Sequence, residues 1–407
     1  MQDKINASIA KNQISSDIID VINSIIFDDP ALKPATNPDI AGQGSSGYIA
    51  SATVENCKNE MELISRIVPS NSTMPVLKSV RVCIAQGRIL FETCNIESRV
   101  AVTLPANITG NCDIVVPWGK HFRAKSLEIN VLQDEIVFVN GTKLQYQDSE
   151  EFPQPAGIPE RKSDFSITIS DLNSIRNATD FSANDELKPA LNGFYFDKNR
   201  FAATDGHRLI IRQLQNQIGC SVIMPKYLAS YYPVMKKLFQ FDPVPVWIDT
   251  ENSWFWLKIS PNIEFWARLI NENYPNVDSV IPNLKETKYS CEISGDDLNC
   301  IFETIKPAFL NAKGPVNWLR FCHHKILTYC TYQGEPNQQV FQNPSAIRPP
   351  FEIQFNYYYL RAIAKRYSPG DQIRIYLNGP DRAALLIRTD ENLNDEIVLL
   401  MPIRIND

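Results

Sequence analysis

The chain has 407 residues, 44% of them hydrophobic and 21% charged, with a formal net charge of −6. That is too long for one ordinary core and typical in composition of a globular protein of two or three domains. No apolar run approaches the ~20 residues of a membrane span. The opening MQDKINASIAKN lacks the basic region and continuous apolar core of a secretory leader, and nine cysteines with no C-x-x-C suit a reducing cytoplasm.

Taken from the start, residues 1–51 read as an extension. SSDIIDVINSIIF forms an amphipathic helix from a serine cap, with Ile18, Ile22 and Ile25 on one side, and 28–50 read as a flexible segment. A repeating unit follows. It is a helix, strands, a strand leading into a second helix, and more strands, recurring at about 110–130 residues. The first helices are NCKNEMELISRIV, ISDLNSIRNATDF and ISGDDLNCIFETIKPAF. The strand-into-helix segments are DIVVPWGKHFRAKS (113–126), SVIMPKYLASYYPVMKKLFQ (221–240) and EIQFNYYYLRAIAKRYS (352–368), with proline or asparagine as the helix-start signal. The first of these leaves room for only about a turn of helix. Three α+β domains follow, at 52–148, 162–275 and 287–405, joined by the proline-rich EEFPQPAGIPERK and YPNVDSVIPNLKETK.

The second helix of every unit is basic: Lys120, Arg123 and Lys125, then Lys226, Lys236 and Lys237, then Arg361, Lys365 and Arg366. One such helix is an ordinary solvated face. The same sign at the same place in three repeats of a net-acidic chain suits a protein that holds a polyanion on one surface and repels it elsewhere.

Between the apolar runs FYFD and LIIRQL lies ATDGHRL (203–209). Its Asp205-Gly206 pair is a tight-turn signal, and the alternating flanks predict a β-hairpin. By residue type alone, Asp205 and His207 also fit a catalytic or metal pair. Together with NENYPNVDSVIP (271–282), the near-terminal LLMPIRI (399–405) and, more weakly, ISRIVPSNSTMPVLKSV (64–80), this segment resembles the bacterial DNA polymerase III β subunit, the sliding clamp family. The resemblance covers roughly 54–405.

What the resemblance implies is an α+β DNA clamp fold: three repeated clamp domains, with helices lining the inside and sheets forming the outside of a head-to-tail dimeric ring. Closure would also remove exposed strand edges. The implied partners are double-stranded DNA, held without sequence preference, and a DNA polymerase and clamp loader that dock through short peptide motifs. No cofactor, metal, membrane or catalytic activity is implied. The family's peptide pocket carries over to Leu191, Thr204, Gly206, His207, Arg208 and Leu209, to Pro275 and Val280, and to Leu399, Met401, Pro402, Ile403 and Arg404. Such an apolar cup with an adaptable thioether suits extended peptides from several partners. Where the family usually has a basic residue before the linker valine, this chain has Ser279, and Asn406 and Asp407 extend past the usual end. The implied protomer interface is Leu144 and Tyr146 in KLQYQ against Phe309 and Leu310.

Two alternatives stand beside this reading. One is a clamp-like adaptor that binds partner peptides without encircling DNA; the other is a metal-dependent hydrolase using Asp205 and His207. Cys322, His323, His324 and Cys330 do not make a metal site, because neighbours on a strand point to opposite faces. No Walker loop, G-x-S-x-G or H-E-x-x-H occurs in the chain.

Overall fold

A computed structural model describes residues 48–153, 157–310, 317–332, 335–343, 347–389 and 396–404. The expected N-terminal helix, nearly all of the flexible segment after it, and the last three residues, Asn406 and Asp407 among them, lie outside them.

The strands of the first repeat are β1 (Ala50–Val54), β2 (Ser79–Ala85), β3 (Arg88–Cys94), β4 (Ser98–Pro105), β5 (Asn107–Gly110), β6 (Cys112–Pro117), β7 (Leu127–Val131), β8 (Glu135–Phe138) and β9 (Lys143–Gln145), followed by the short β10 (Gln147–Asp148). The second repeat supplies β11 (Phe165–Ile167), β12 (Gly193–Asp197), β13 (Arg200–Thr204), β14 (Arg208–Gln213), β15 (Val222–Pro225), β16 (Val244–Asp249), β17 (Trp254–Ser260) and β18 (Ile263–Arg268). The third supplies β19 (Tyr289–Ser294), β20 (Trp318–Phe321), β21 (Lys325–Tyr332), β22 (Glu335–Gln342), β23 (Ile353–Asn356), β24 (Gln372–Leu377), β25 (Ala384–Arg388) and β26 (Glu396–Leu400). Alternation drives them: in β7, for example, Leu127, Ile129 and Val131 are buried while Glu128 is exposed.

Each repeat builds two half-sheets by one plan. In the first repeat the orders are β6-β2-β3-β4 and β1-β7-β8-β9; in the second, β15-β12-β13-β14 and β11-β16-β17-β18; in the third, β23-β20-β21-β22 and β19-β24-β25-β26. Half-sheets of successive repeats then merge. β4 pairs antiparallel with β18, making a nine-stranded sheet, and β14 pairs antiparallel with β26, making an eight-stranded one. Both joins obey the same rule, the last strand of one half-sheet against the last strand of the next. Among the described residues the two remaining strands of this type, β9 and β22, are open edges.

The helices are α1 (Lys58–Ile67), α2 (Ile169–Asn177), α3 (Tyr232–Met235), α4 (Gly295–Phe309) and α5 (Tyr357–Ala364), and three of them start at polar caps. Thr168, Ser294 and Asn356 accept backbone N–H bonds at the starts of α2, α4 and α5. In α4, Leu298, Ile301, Phe302, Ile305, Ala308 and Phe309 recur at helical spacing and are buried. The basic segment of the first repeat is a single 3-10 turn, Lys120–Phe122, as its length implies. The helices pack on one another within a repeat, α4 on α5 and α2 on α3, and across repeats, α3 on α1. Among the described residues no helix is long and apolar enough to cross a membrane.

Candidate docking cleft and cationic helix face

The ATDGHRL segment is the turn between β13 and β14, and its polar groups are almost all spent on the turn. Thr204 Oγ1 donates to the Arg208 carbonyl (2.6 Å) and accepts the Gly206 N–H (3.0 Å). Asp205 Oδ1 accepts the N–H groups of His207 and Arg208 (2.9 and 2.8 Å), and its Oδ2 accepts Nε and Nη2 of Arg208 (3.0 and 2.8 Å). Gly206 sits at φ +87°, where a side chain would be strained. Asp205 is thus an Asx-turn and ion-pair residue, with its two oxygens already committed. That removes the geometric basis for an Asp205–His207 hydrolytic pair.

Arg208 is the hub of this corner. Its guanidinium also donates to the Asp180 carbonyl, lies 4.2 Å from the ring centre of Tyr359 and 5.4 Å from that of Phe181. The His207 ring stacks 5.8 Å from Tyr359. Tyr359, on α5 of the third repeat, thereby meets the turn of the second.

The third motif arrives by strand pairing. β26 lies on β14 with Leu399 opposite Leu209 and Leu400 opposite Arg208. Leu209 and Leu399 (3 and 4% exposed) form an apolar floor with Ala202, Ile211, Leu385 and the linker residue Val277, flanked by Tyr274 and Ile281. The linker is fastened by a bidentate pair, Arg200 to Asp278, with both N···O distances 2.7 Å. Beyond β26 the tail crosses from one repeat to the other, because Met401 N–H donates to the His207 carbonyl (2.9 Å) and Ile403 N–H to the Gln354 carbonyl (2.7 Å). Met401 (40% exposed), Val280 (54%), Pro275, His207 and Arg404 are exposed, and Pro402 and Ile403 are half-buried. Leu191, in the 3-10 turn Pro189–Asn192, is buried outside this apolar cluster. The sequence motifs are therefore brought together, with Val277 rather than Val280 contributing to the floor. Val277 and Tyr359 escaped the motif reading. The only signal for Tyr359 was its place three residues past the Asn356 cap.

The nine predicted cations do not behave alike. Lys120, Arg123, Lys125, Lys236, Lys237 and Lys365 are exposed, Arg361 is half-exposed over the Tyr357 ring at 5.8 Å, and Lys237 pairs with Glu62 of α1 at 3.2 Å. Lys226 is half-buried with its ammonium on the Ala183 carbonyl, and burial lowers its pKa. Arg366 departs from the expectation. Its side chain is 10% exposed, donating to Glu396 (2.8 Å) and to the Asn177 carbonyl (2.6 Å), because an internal carboxylate lies within reach. An open cleft of about 500 Å³ lies beside it, lined by Arg176, Asn177, Thr179, Asp180, Lys226, Tyr227, Ala229 and Ser230.

At the open edges, Leu144 is half-buried on β9, and Tyr146 just beyond donates its hydroxyl to the carbonyls of Leu132 (3.0 Å) and Gln133 (2.6 Å). Leu310 is 67% exposed, whereas Phe309 is 7% exposed and stacks on Tyr357 at 3.7 Å, which makes it a core residue of α4. Val340 on β22 is 66% exposed. Cys330 on β21 donates its thiol to the Ala308 carbonyl of α4 while His323 and His324 are exposed at the turn. Among the described residues no group of three or more His, Cys, Asp or Glu is placed to hold a metal.

This arrangement of repeated half-sheets, a helical layer and a cleft at a repeat junction is that of the DNA polymerase sliding clamps. The structure matches the Bacillus subtilis DNA polymerase sliding clamp with a TM-score of 0.73 at 20% identity, covering 88% of this chain and 100% of that one. It matches the Bartonella birtlesii sliding clamp bound to griselimycin with a TM-score of 0.72 at 20% identity, covering 87 and 99%. In sequence, the β sliding clamp of Buchnera aphidicola is 23% identical over 375 residues, 86% of this chain and 97% of that one. That of Streptococcus pneumoniae R6 is 24% identical over 248 residues, 54% of this chain and 64%, just under two thirds, of the relative. No family model matches. Over most of its length the chain is similar to the β sliding clamps in sequence and shares their fold.

Proposed function

We propose that the protein is a DNA sliding clamp, a non-enzymatic processivity factor. Two copies would close head to tail around duplex DNA and tether a polymerase and other partners through short peptide motifs. The single observation that carries this reading is the strand-joining rule. β4·β18 and β14·β26 are two instances of one contact, and the third instance, β22 with β9, is unfilled among the described residues of one chain. A second copy fills it twice, leaving neither edge exposed.

On this reading the clamp domains are 52–148, 162–275 and 287–405. Seven of the nine repeat cations, those outside the Lys226 and Arg366 contacts, would face phosphates without reading bases. Such contacts are salt-sensitive and permit sliding. Leu144 and Tyr146 would meet Leu310 of a second copy. The apolar floor under Met401 and the Tyr359–His207 wall would take a partner's apolar side chains, with Arg404 at the rim. Loading would need a separate ATP-driven loader, and the work would be done in the cytoplasm on the nucleoid. β9 has three residues against six in β18 and five in β26, a shorter edge for the third join, and the alternative to be tested is an adaptor that does not close. Light scattering at micromolar concentration decides. A ring gives twice the 46.2 kDa chain mass, and a single chain mass means the adaptor.

A further inference from the structure

Glu396 opens β26, five residues before Met401, and is 3% exposed. Strand pairing sets it opposite Arg212 of β14, whose Nη1 lies 3.2 Å from Oε2. Arg366, past the end of α5, reaches the same oxygen at 2.8 Å and also holds the Asn177 carbonyl at the end of α2 (2.6 Å). Arg388 of β25 completes the cluster, donating to the Arg366 carbonyl (3.0 Å) and pairing with Asp371 (3.1 Å). Burial alone would push the Glu396 carboxyl up, but Arg366, Arg212 and Arg388 outweigh it and hold it below the usual range.

The cluster does something that the apolar residues around it do not. β14 reads RLIIRQ and β26 reads EIVLL, so sliding one along the other by two residues keeps apolar side chains on the same faces. In one direction such a slip sets Glu396 opposite Ile210, and in the other it sets Arg212 opposite Val398. Either leaves a buried charge against hydrocarbon. The ion pair is therefore the register-specific element of this ladder. A two-residue slip would also carry the tail about 6–7 Å along the strand, taking Met401 away from the His207 carbonyl and Ile403 away from the Gln354 carbonyl.

We infer that Glu396, with Arg212 and Arg366, is a positioning group for the docking cleft: it fixes the register of β26 and so seats Leu399 to Arg404 against the turn. This rests on the docking reading given above, and it moves Arg366 from the polyanion face to the cleft. The test uses the full chain carrying Glu396→Gln, and a second variant in which Glu396, Arg212 and Arg366 are all replaced by Met. Two quantities are read well below the melting temperature: hydrogen exchange at the Met401 and Ile403 amides, and binding of griselimycin. In both variants exchange at these amides should quicken and griselimycin should bind about tenfold more weakly, as a cleft loses its preorganisation. A purely stabilising cluster predicts otherwise for the apolar variant, since apolar replacement of a buried ion cluster commonly restores stability. Parental exchange and binding in that variant would overturn the inference. If the parental chain itself fails to bind griselimycin, the docking reading falls, while the amide exchange still decides whether Glu396 positions the tail.

Discussion

Met401 separates the docking role of the cleft from its role as a repeat junction. It is 40% exposed, whereas Leu209 and Leu399 beneath it are 3 and 4% exposed. Fully burying a methionine is worth about 1.5–3 kcal/mol, so covering the remaining two fifths contributes roughly 0.6–1.2 kcal/mol to a partner. Met401→Ala should then weaken griselimycin binding about three- to eightfold. Met401→Asp adds a carboxylate desolvated beside an apolar floor, and the loss should reach about 100-fold. Neither variant should alter the light-scattering mass, because Met401 lies away from β9 and β22. Leu209→Ala is the contrasting case. With no exposed area to offer a partner, it should cost about 2–5 kcal/mol of stability through its cavity. Calorimetric titration with parental affinity for Met401→Asp would refute the placement of the cleft.

Salt dependence sorts the cations. Lys365→Ala should flatten the slope of log affinity for duplex DNA against log salt by about one, whereas Arg366→Met should leave the slope unchanged and lower the melting temperature. An equal change in slope for both would return Arg366 to the DNA face. Leu310→Asp should convert twice the chain mass to one chain mass with little change in melting, since the side chain is 67% exposed; a persistent dimer would remove Leu310 from the interface. Because the Glu396 carboxyl is held below its usual 4.5, its contribution to stability is present above that pH and is lost as pH falls through the depressed value. The melting temperature of Glu396→Gln should therefore converge on that of the parent in acid. A gap that does not narrow would mean the carboxylate carries no net pairing energy.

The fold was legible because its signals are local and repeated. Capping residues, alternation and the Asp205-Gly206 turn each act over a few residues, and three copies of the unit make the period visible. The meeting of ATDGHRL with LLMPIRI was legible only through resemblance, since nothing in either segment names its partner strand some 190 residues away. Partnership between residues distant in the chain is where residue type fails. Arg366 has the sign and place of a polyanion contact, and only the coordinates bring Glu396 beneath it. Phe309 and Leu310 are equivalent as apolar neighbours at a helix end, yet the 3.7 Å stack on Tyr357 takes one into the core and leaves the other outside. Val277 and Val280 differ likewise: they bound one 3-10 turn, yet Val277 packs into the apolar floor and Val280 is exposed.

The claim on which the account depends is topological: a closed circle around DNA rather than a patch stuck to it. Retention on nicked circular DNA, measured in a salt wash before and after linearisation once the protein has been loaded, tests it most directly. The account predicts that protein held by the circle is lost when the DNA is cut. Equal retention on the cut and uncut forms would contradict it.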